Sequence, residues 1–151
     1  MSTYSFQDVV AAINIGGGKV INVSSGGVAE EGITFERNED ANTMLVGTEG
    51  EVLHCLHSGT SGTVRIRLLK TSGKNGELMN ALNEQQAQGA KWGRNLISLE
   101  DKARGDKVVA TEVAFAGKPV IVFAKIGAIM EWAFHAGRIT AVLQTDFQGT
   151  R

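Results

Sequence analysis

His54, Cys55 and His57 stand together in the stretch Glu51 to Gly59, which reads EVLHCLHSG and holds two of the chain's three histidines and its single cysteine. Side chains of these types can ligate zinc, or pair a thiol nucleophile with an imidazole base. Zinc needs three or four ligands converging on one point. In a strand the odd spacing sends His54 and His57 to opposite faces. The run is too short and too close to glycine for a helix that would reunite them. A further ligand would have to come from His135 or from a carboxylate far off in sequence. Cys55 lies between Leu53 and Leu56, a setting in which a thiol behaves as a small buried apolar side chain. The stretch therefore reads as ordinary strand, and neither a metal nor a cofactor is expected.

Other motifs resolve the same way. Gly16 to Lys19, GGGK, lacks the frame of a phosphate-binding loop and runs on into VINVSS, a strand rather than a helix. Arg104 to Lys107, RGDK, reads as a polar turn before the strand KVVATEV. The acidic pairs Glu30–Glu31, Glu39–Asp40 and Glu100–Asp101 fall in turn regions beside glycine or asparagine. Nothing there sets one carboxyl's pKa against the other's, as acid/base work requires. They are expected to be solvated or to sit at a subunit contact.

The elements that must carry these residues are mostly strands. A chain of 151 residues with 42% apolar and 21% charged residues is long enough for one cored domain, here residues 1–151, and is not disordered. Fifteen basic against sixteen acidic residues give a net charge of -1, without the basic excess of a dedicated nucleic-acid binder. One cysteine excludes an internal disulfide. The N-terminal MSTYSFQDVV is expected to carry no signal peptide. Nineteen glycines against one proline, placed between apolar runs, read as turns joining short strands. Tyr4–Ile15, KVINV, GITFER, TMLVG, GTVRIRLL, NLISLED, DKVVATEVAFA, PVIVFA, IMEWAFHAG and RITAVLQ make nine or ten of them, with turns at Gly16–Gly18, Ser24–Gly27, Gly117–Pro119 and Ala136–Gly137. GTVRIRLL is the clearest, with Val64, Ile66 and Leu68 alternating with Arg65 and Arg67. One helix is expected at about residues 75–88, capped by Ser72 or Asn75, with Leu78, Met79 and Leu82 on one stripe and Gly89 as its stop. The fold class is mainly β: an antiparallel β-sandwich or barrel with one flanking α-helix.

YSFQDV at Tyr4 to Val9, the long run from Gly27 to Ser72, WGRNLISLEDKARGD and EWAFHAGRITAVLQT together resemble the tail tube protein of contractile-tailed bacteriophages over nearly the whole chain. The resemblance implies a fold shared with type VI secretion inner tubes, hexameric rings stacked into a hollow inner tube, and a structural virion protein rather than an enzyme. It further implies a contractile sheath around the tube, baseplate and tail terminator proteins at its ends, and a tape-measure protein and genomic double-stranded DNA in the lumen, without specific binding. The place of work would be the virion tail, assembled in the host bacterial cytoplasm.

On this reading the candidate inter-subunit contacts are Met44, Leu45, Val46, His54, His57, Arg65, Arg67 and Glu112. Asn38 to Gly50 is either an arm to the next subunit, anchored by Met44–Val46, or another core strand. The faces bearing Arg65, Arg67 and Glu112 would meet neighbours or line a neutral-to-acidic lumen. Two other classes compete: a small cytosolic β-barrel metal or thiol enzyme using His54, Cys55 and His57, and a β-sandwich binding module for nucleic acid or sugar. Six per cent aromatics leave the latter few stacking platforms.

Overall fold

The computed structural model describes residues 9–16, 18–23, 28–38, 41–56, 58–121, 123, 125 and 129–143. Among these, nine strands form: β1 (Val9–Ile15), β2 (Lys19–Asn22), β3 (Val28–Arg37), β4 (Asn42–Val46), β5 (Val52–Leu56), β6 (Gly62–Leu69), β7 (Asn95–Asp101), β8 (Asp106–Phe115) and β9 (Ile129–Val142). One helix, α1 (Lys74–Ala87), lies between β6 and β7. Seven strands make a single sheet in the order β2-β1-β7-β8-β9-β6-β3, and β4 and β5 pair apart from it. Every pairing is antiparallel. The fold is thus mainly β with one helix, as the strand spacing predicts.

Period-two alternation decides which face is inside. On β6, Val64, Ile66 and Leu68 are fully buried, and on β9 so are Trp132 and Phe134. They share one cluster with Ile13 of β1, Ile21 of β2 and Ile97 of β7, against which Ile33 and Phe35 of β3 pack. A sheet whose two edge strands contribute to the same core must curl around it. Part of the bend is visible at Glu112, the only non-glycine residue with positive φ (54°) among those described. There β8 carries an extra residue against β7, and its buried positions switch from Ala110 to Val113. On β9 the inward set switches likewise, from Ala136 to Ile139. A bulge of this kind bends a sheet and increases its twist. Gly137 stands beside it, where a Cβ would lie 3.0 Å from that of Glu112. The expected turn at Ala136–Gly137 is therefore not a turn: β9 runs through it as one 14-residue strand.

Helix α1 lies one residue earlier than expected. Leu78, Ala81 and Leu82 are buried and Met79 partly so. Ser72 Oγ accepts the Lys74 N–H at 3.2 Å, whereas Asn75 is an internal strut rather than a cap. Its side chain accepts from Trp132 Nε1 at 2.9 Å and donates to the Leu69 carbonyl at 2.9 Å. Gln85 and Asn95, both buried, exchange two hydrogen bonds at 2.7 and 3.1 Å and tie the helix to β7. Such satisfied polar pairs fix the helix in one register on the sheet.

Three further expectations change. Pro119–Ile121 and Phe123 are not in a strand but in an exposed connection from β8 to β9. Asp101 is not a solvated acid; it is buried, and its Oδ1 accepts the N–H groups of Ala103 and Arg104. Glu30 and Glu31 fall within β3 rather than a turn. Tyr4–Asp8, the Ser24–Gly27 turn, Glu39–Asp40 and His57 lie outside the described residues.

Candidate assembly surfaces

The β4–β5 hairpin is the first surface. Its register pairs Asn42 with Leu56, Met44 with His54 and Val46 with Val52, and between them Thr43 with Cys55 and Leu45 with Leu53. Cross-strand partners share a face. One face therefore carries Met44, Val46, Val52 and Leu56 beside His54, and the other carries Leu45, Leu53 and Cys55. Both faces are apolar and neither is covered: six of these side chains, including Met44 (55%), Val46 (61%) and Leu56 (87%), are more than half exposed. The segment is not a core strand. A free two-stranded hairpin is marginal in water, and an uncovered apolar patch of this kind marks an interaction site.

The same register bears on the histidine–cysteine stretch. His54 and Cys55 are adjacent strand residues on opposite faces, so they cannot form a nucleophile–base pair there. His54 Nδ1 instead lies 3.1 Å from Asn42 Nδ2 across the hairpin. No group of three or more potential metal ligands gathers among the described residues.

A charged ladder on the outward face of β3, β6 and β9 is the second surface. The register sets Thr34 beside Arg65 and Arg67 beside Glu131. Arg67 Nε donates to Glu131 Oε2 at 3.1 Å, and Arg67 Nη1 donates to Thr34 Oγ1 at 2.8 Å. Arg65 stands 3.6 Å from Glu131 and 3.6 Å from Glu36. Two guanidinium groups thus meet two carboxylates of the same chain, and the face is locally neutral. Exposed pairs like these contribute little each, and more as a network. Glu112 does not join them; it sits exposed at the β8 bulge.

A third surface was not foreseen from sequence. Ala116–Val120, Ile129, Glu131 and Ala133 line an open groove of about 360 Å³ between the β8–β9 connection and the start of β9. Val120 (80%) and Phe123 (88%) are left uncovered, and Leu69 and Ile129, paired at the sheet end, are about 40% exposed. Lys70 lies 3.5 Å from the centre of the Phe123 ring. The signal available in the sequence was an apolar run flanked by Lys118 and Lys125, which read as a strand.

Elsewhere, Lys91 Nζ donates to Glu84 Oε1 at 2.9 Å beyond the end of α1, and this bond, with the lysine's charge, holds the Glu84 carboxyl below its usual value. Among the described residues no helix is long and apolar enough to cross a membrane.

The solved structure of an extracellular contractile injection system, PVC sheath/tube terminator in extended state, is similar with a TM-score of 0.59 at 12% identity, covering 94% of this chain and 98% of that one. The PVC sheath-tube complex in extended state contains a chain similar with a TM-score of 0.52 at 15% identity, covering 88% of each. At such identities the likeness is one of fold. No curated protein matches by sequence. The family of the bacteriophage PhiTE tail tube protein, however, matches residues 1–144. With nearly its whole length matched, and a β fold like that of chains in contractile injection machines, this protein belongs to the bacteriophage PhiTE tail tube protein family.

Proposed function

We propose that the chain is the building block of a phage tail tube, in which hexameric rings stack into a hollow conduit for genome ejection inside a contractile sheath. The family match across residues 1–144 carries this reading. The uncovered hairpin supports it, because a subunit that meets copies of itself has a use for apolar surface that a monomer does not. The similar chains come from structures of a sheath/tube terminator and a sheath-tube complex. By analogy the partners here are a sheath and a terminator, joined by baseplate proteins, with a tape-measure protein and genomic DNA in the lumen. The site of action is the virion tail, after assembly in the host cytoplasm. The role is structural and not enzymatic.

On this reading Met44, Leu45 and Val46 are buried against a neighbour, and His54 and His57 come to lie at subunit contacts. The Arg65/Arg67 face lines the lumen or a contact, as does Glu112. Internal pairing of Arg65 and Arg67 with Glu36 and Glu131 suits a channel wall, because a wall of free cations would hold phosphates through counterion release, whereas a neutral one lets the duplex slide.

Negative-stain microscopy of concentrated purified protein tests the proposal: rings or tubes are expected. Monodisperse monomers carrying stoichiometric metal would instead support the enzyme built on His54, Cys55 and His57.

A further inference from the structure

The structure carries two uncovered apolar features with opposite charge at their rims. One is the β4–β5 hairpin, whose connecting turn bears Glu49 and Glu51, both exposed. The other is the groove lined by Ala116, Pro119, Val120 and Ile129, with Lys118 on its wall and Lys125 further along the same β8–β9 connection. Glu131, which also lines the groove, is already matched by Arg65 and Arg67. The groove rim is therefore basic and the hairpin tip acidic. Apart from pairing with each other, β4 and β5 make only sparse contact with other described elements.

We propose that the groove receives the β4–β5 hairpin of a second copy of this chain. The occupant is argued from charge complementarity and from what each feature lacks. The hairpin is apolar on both faces, so one covering surface leaves the other face for a second contact. The groove is apolar but open, and Val120 in its lining is 80% exposed. Glu49 and Glu51 would meet Lys118 and Lys125, which fixes the direction of insertion. A hairpin and a groove at different places on one chain make a head-to-tail contact, which repeats until it closes into a ring or runs on as a helix. The inference rests on the tube reading and adds to it the receptor for the hairpin.

Two charge-reversed variants test it. Glu49→Lys/Glu51→Lys makes hairpin and groove both basic; Lys118→Glu/Lys125→Glu makes both acidic. Each alone is expected to lower the assembled fraction by roughly tenfold or more at low salt, through like-charge contact. A 1:1 mixture of the two is expected to restore assembly, because every junction then joins opposite charges. Unchanged thermal unfolding of each dilute variant shows that its fold is intact. If the wild type forms tubes but the groove variant assembles equally well, or the mixture does no better than its parts, the docking is overturned while the tube reading stands. A wild type that stays monomeric at all concentrations overturns the tube reading and the docking with it. A groove that captures purified sheath protein, with tubes unaffected by its charge reversal, assigns it to the sheath instead.

Discussion

The seven-stranded sheet and the β4–β5 hairpin are built from similar side chains and end in opposite states. In β6 the alternation of Val64, Ile66 and Leu68 with Arg65 and Arg67 has a core on one side and water on the other. Its apolar set is fully buried. In the hairpin, Met44, Leu45 and Val46 are consecutive on one strand and Val52 and Leu53 on the other, so alternation places apolar groups on both faces, and all five stay more than half exposed. One-sided patterning thus describes a strand stable within its own chain, whereas two-sided apolar patterning in a short free hairpin describes a strand awaiting another chain.

Substitutions in the sheet core should cost the most. Trp132→Ala removes a fully buried ring in edge contact with Phe115 and leaves Asn75 without its indole donor. Urea unfolding should show a loss of about 3–5 kcal/mol. Gly62→Ala comes next: a Cβ there would collide with the Glu36 carbonyl and the Ile139 side chain. Since backbone must shift, a cost of about 1–3 kcal/mol is expected in the same measurement. Glu131→Gln strips both arginines of a shared carboxylate on a half-exposed face. It should cost about 1 kcal/mol or less, diminishing with added salt. On the hairpin side, Met44→Asp/Val46→Asp should change monomer unfolding by less than about 0.5 kcal/mol, yet abolish tubes under the microscope. A comparable loss of monomer stability would make the hairpin part of the core and erase the contrast. Smallest is the acid response of the end of α1. The Glu84 carboxyl is held low by Lys91, so its contribution is complete above the ordinary carboxylate range and is lost as pH falls through the lowered value. Lys91→Met should remove that small segment of the acid unfolding curve.

Much of the sheet was legible because burial on one face writes a period of two into a strand, as in GTVRIRLL and IMEWAFH. The helix was legible to within one residue, from the spacing of Leu78, Met79 and Leu82. Among the candidate contact residues, Met44, Leu45 and Val46 were recognised as apolar between polar flanks, but whether they faced a core depended on which strands lay nearby. Arg65 and Arg67 mark a charged face in the sequence, either wet or paired, and their pairing with Glu131 requires a partner more than sixty residues away to arrive at the adjacent register position. The run from Pro119 to Ala124 has the composition of a strand, but Pro119–Ile121 and Phe123 take no place in the sheet. Ala136–Gly137 has the composition of a turn, yet the glycine is there to clear the Glu112 bulge.

The class of fold, the helix and the tube family can be read from the amino acids alone, since periodicity and extended resemblance are written locally along the chain. The sequence also weighs against chemistry at His54, Cys55 and His57, because strand spacing alone separates neighbouring side chains. Which apolar residues remain uncovered, which charges cancel and where the sheet bends emerge only from the folded arrangement. Those outcomes depend on which distant strands become neighbours, and no local pattern encodes that.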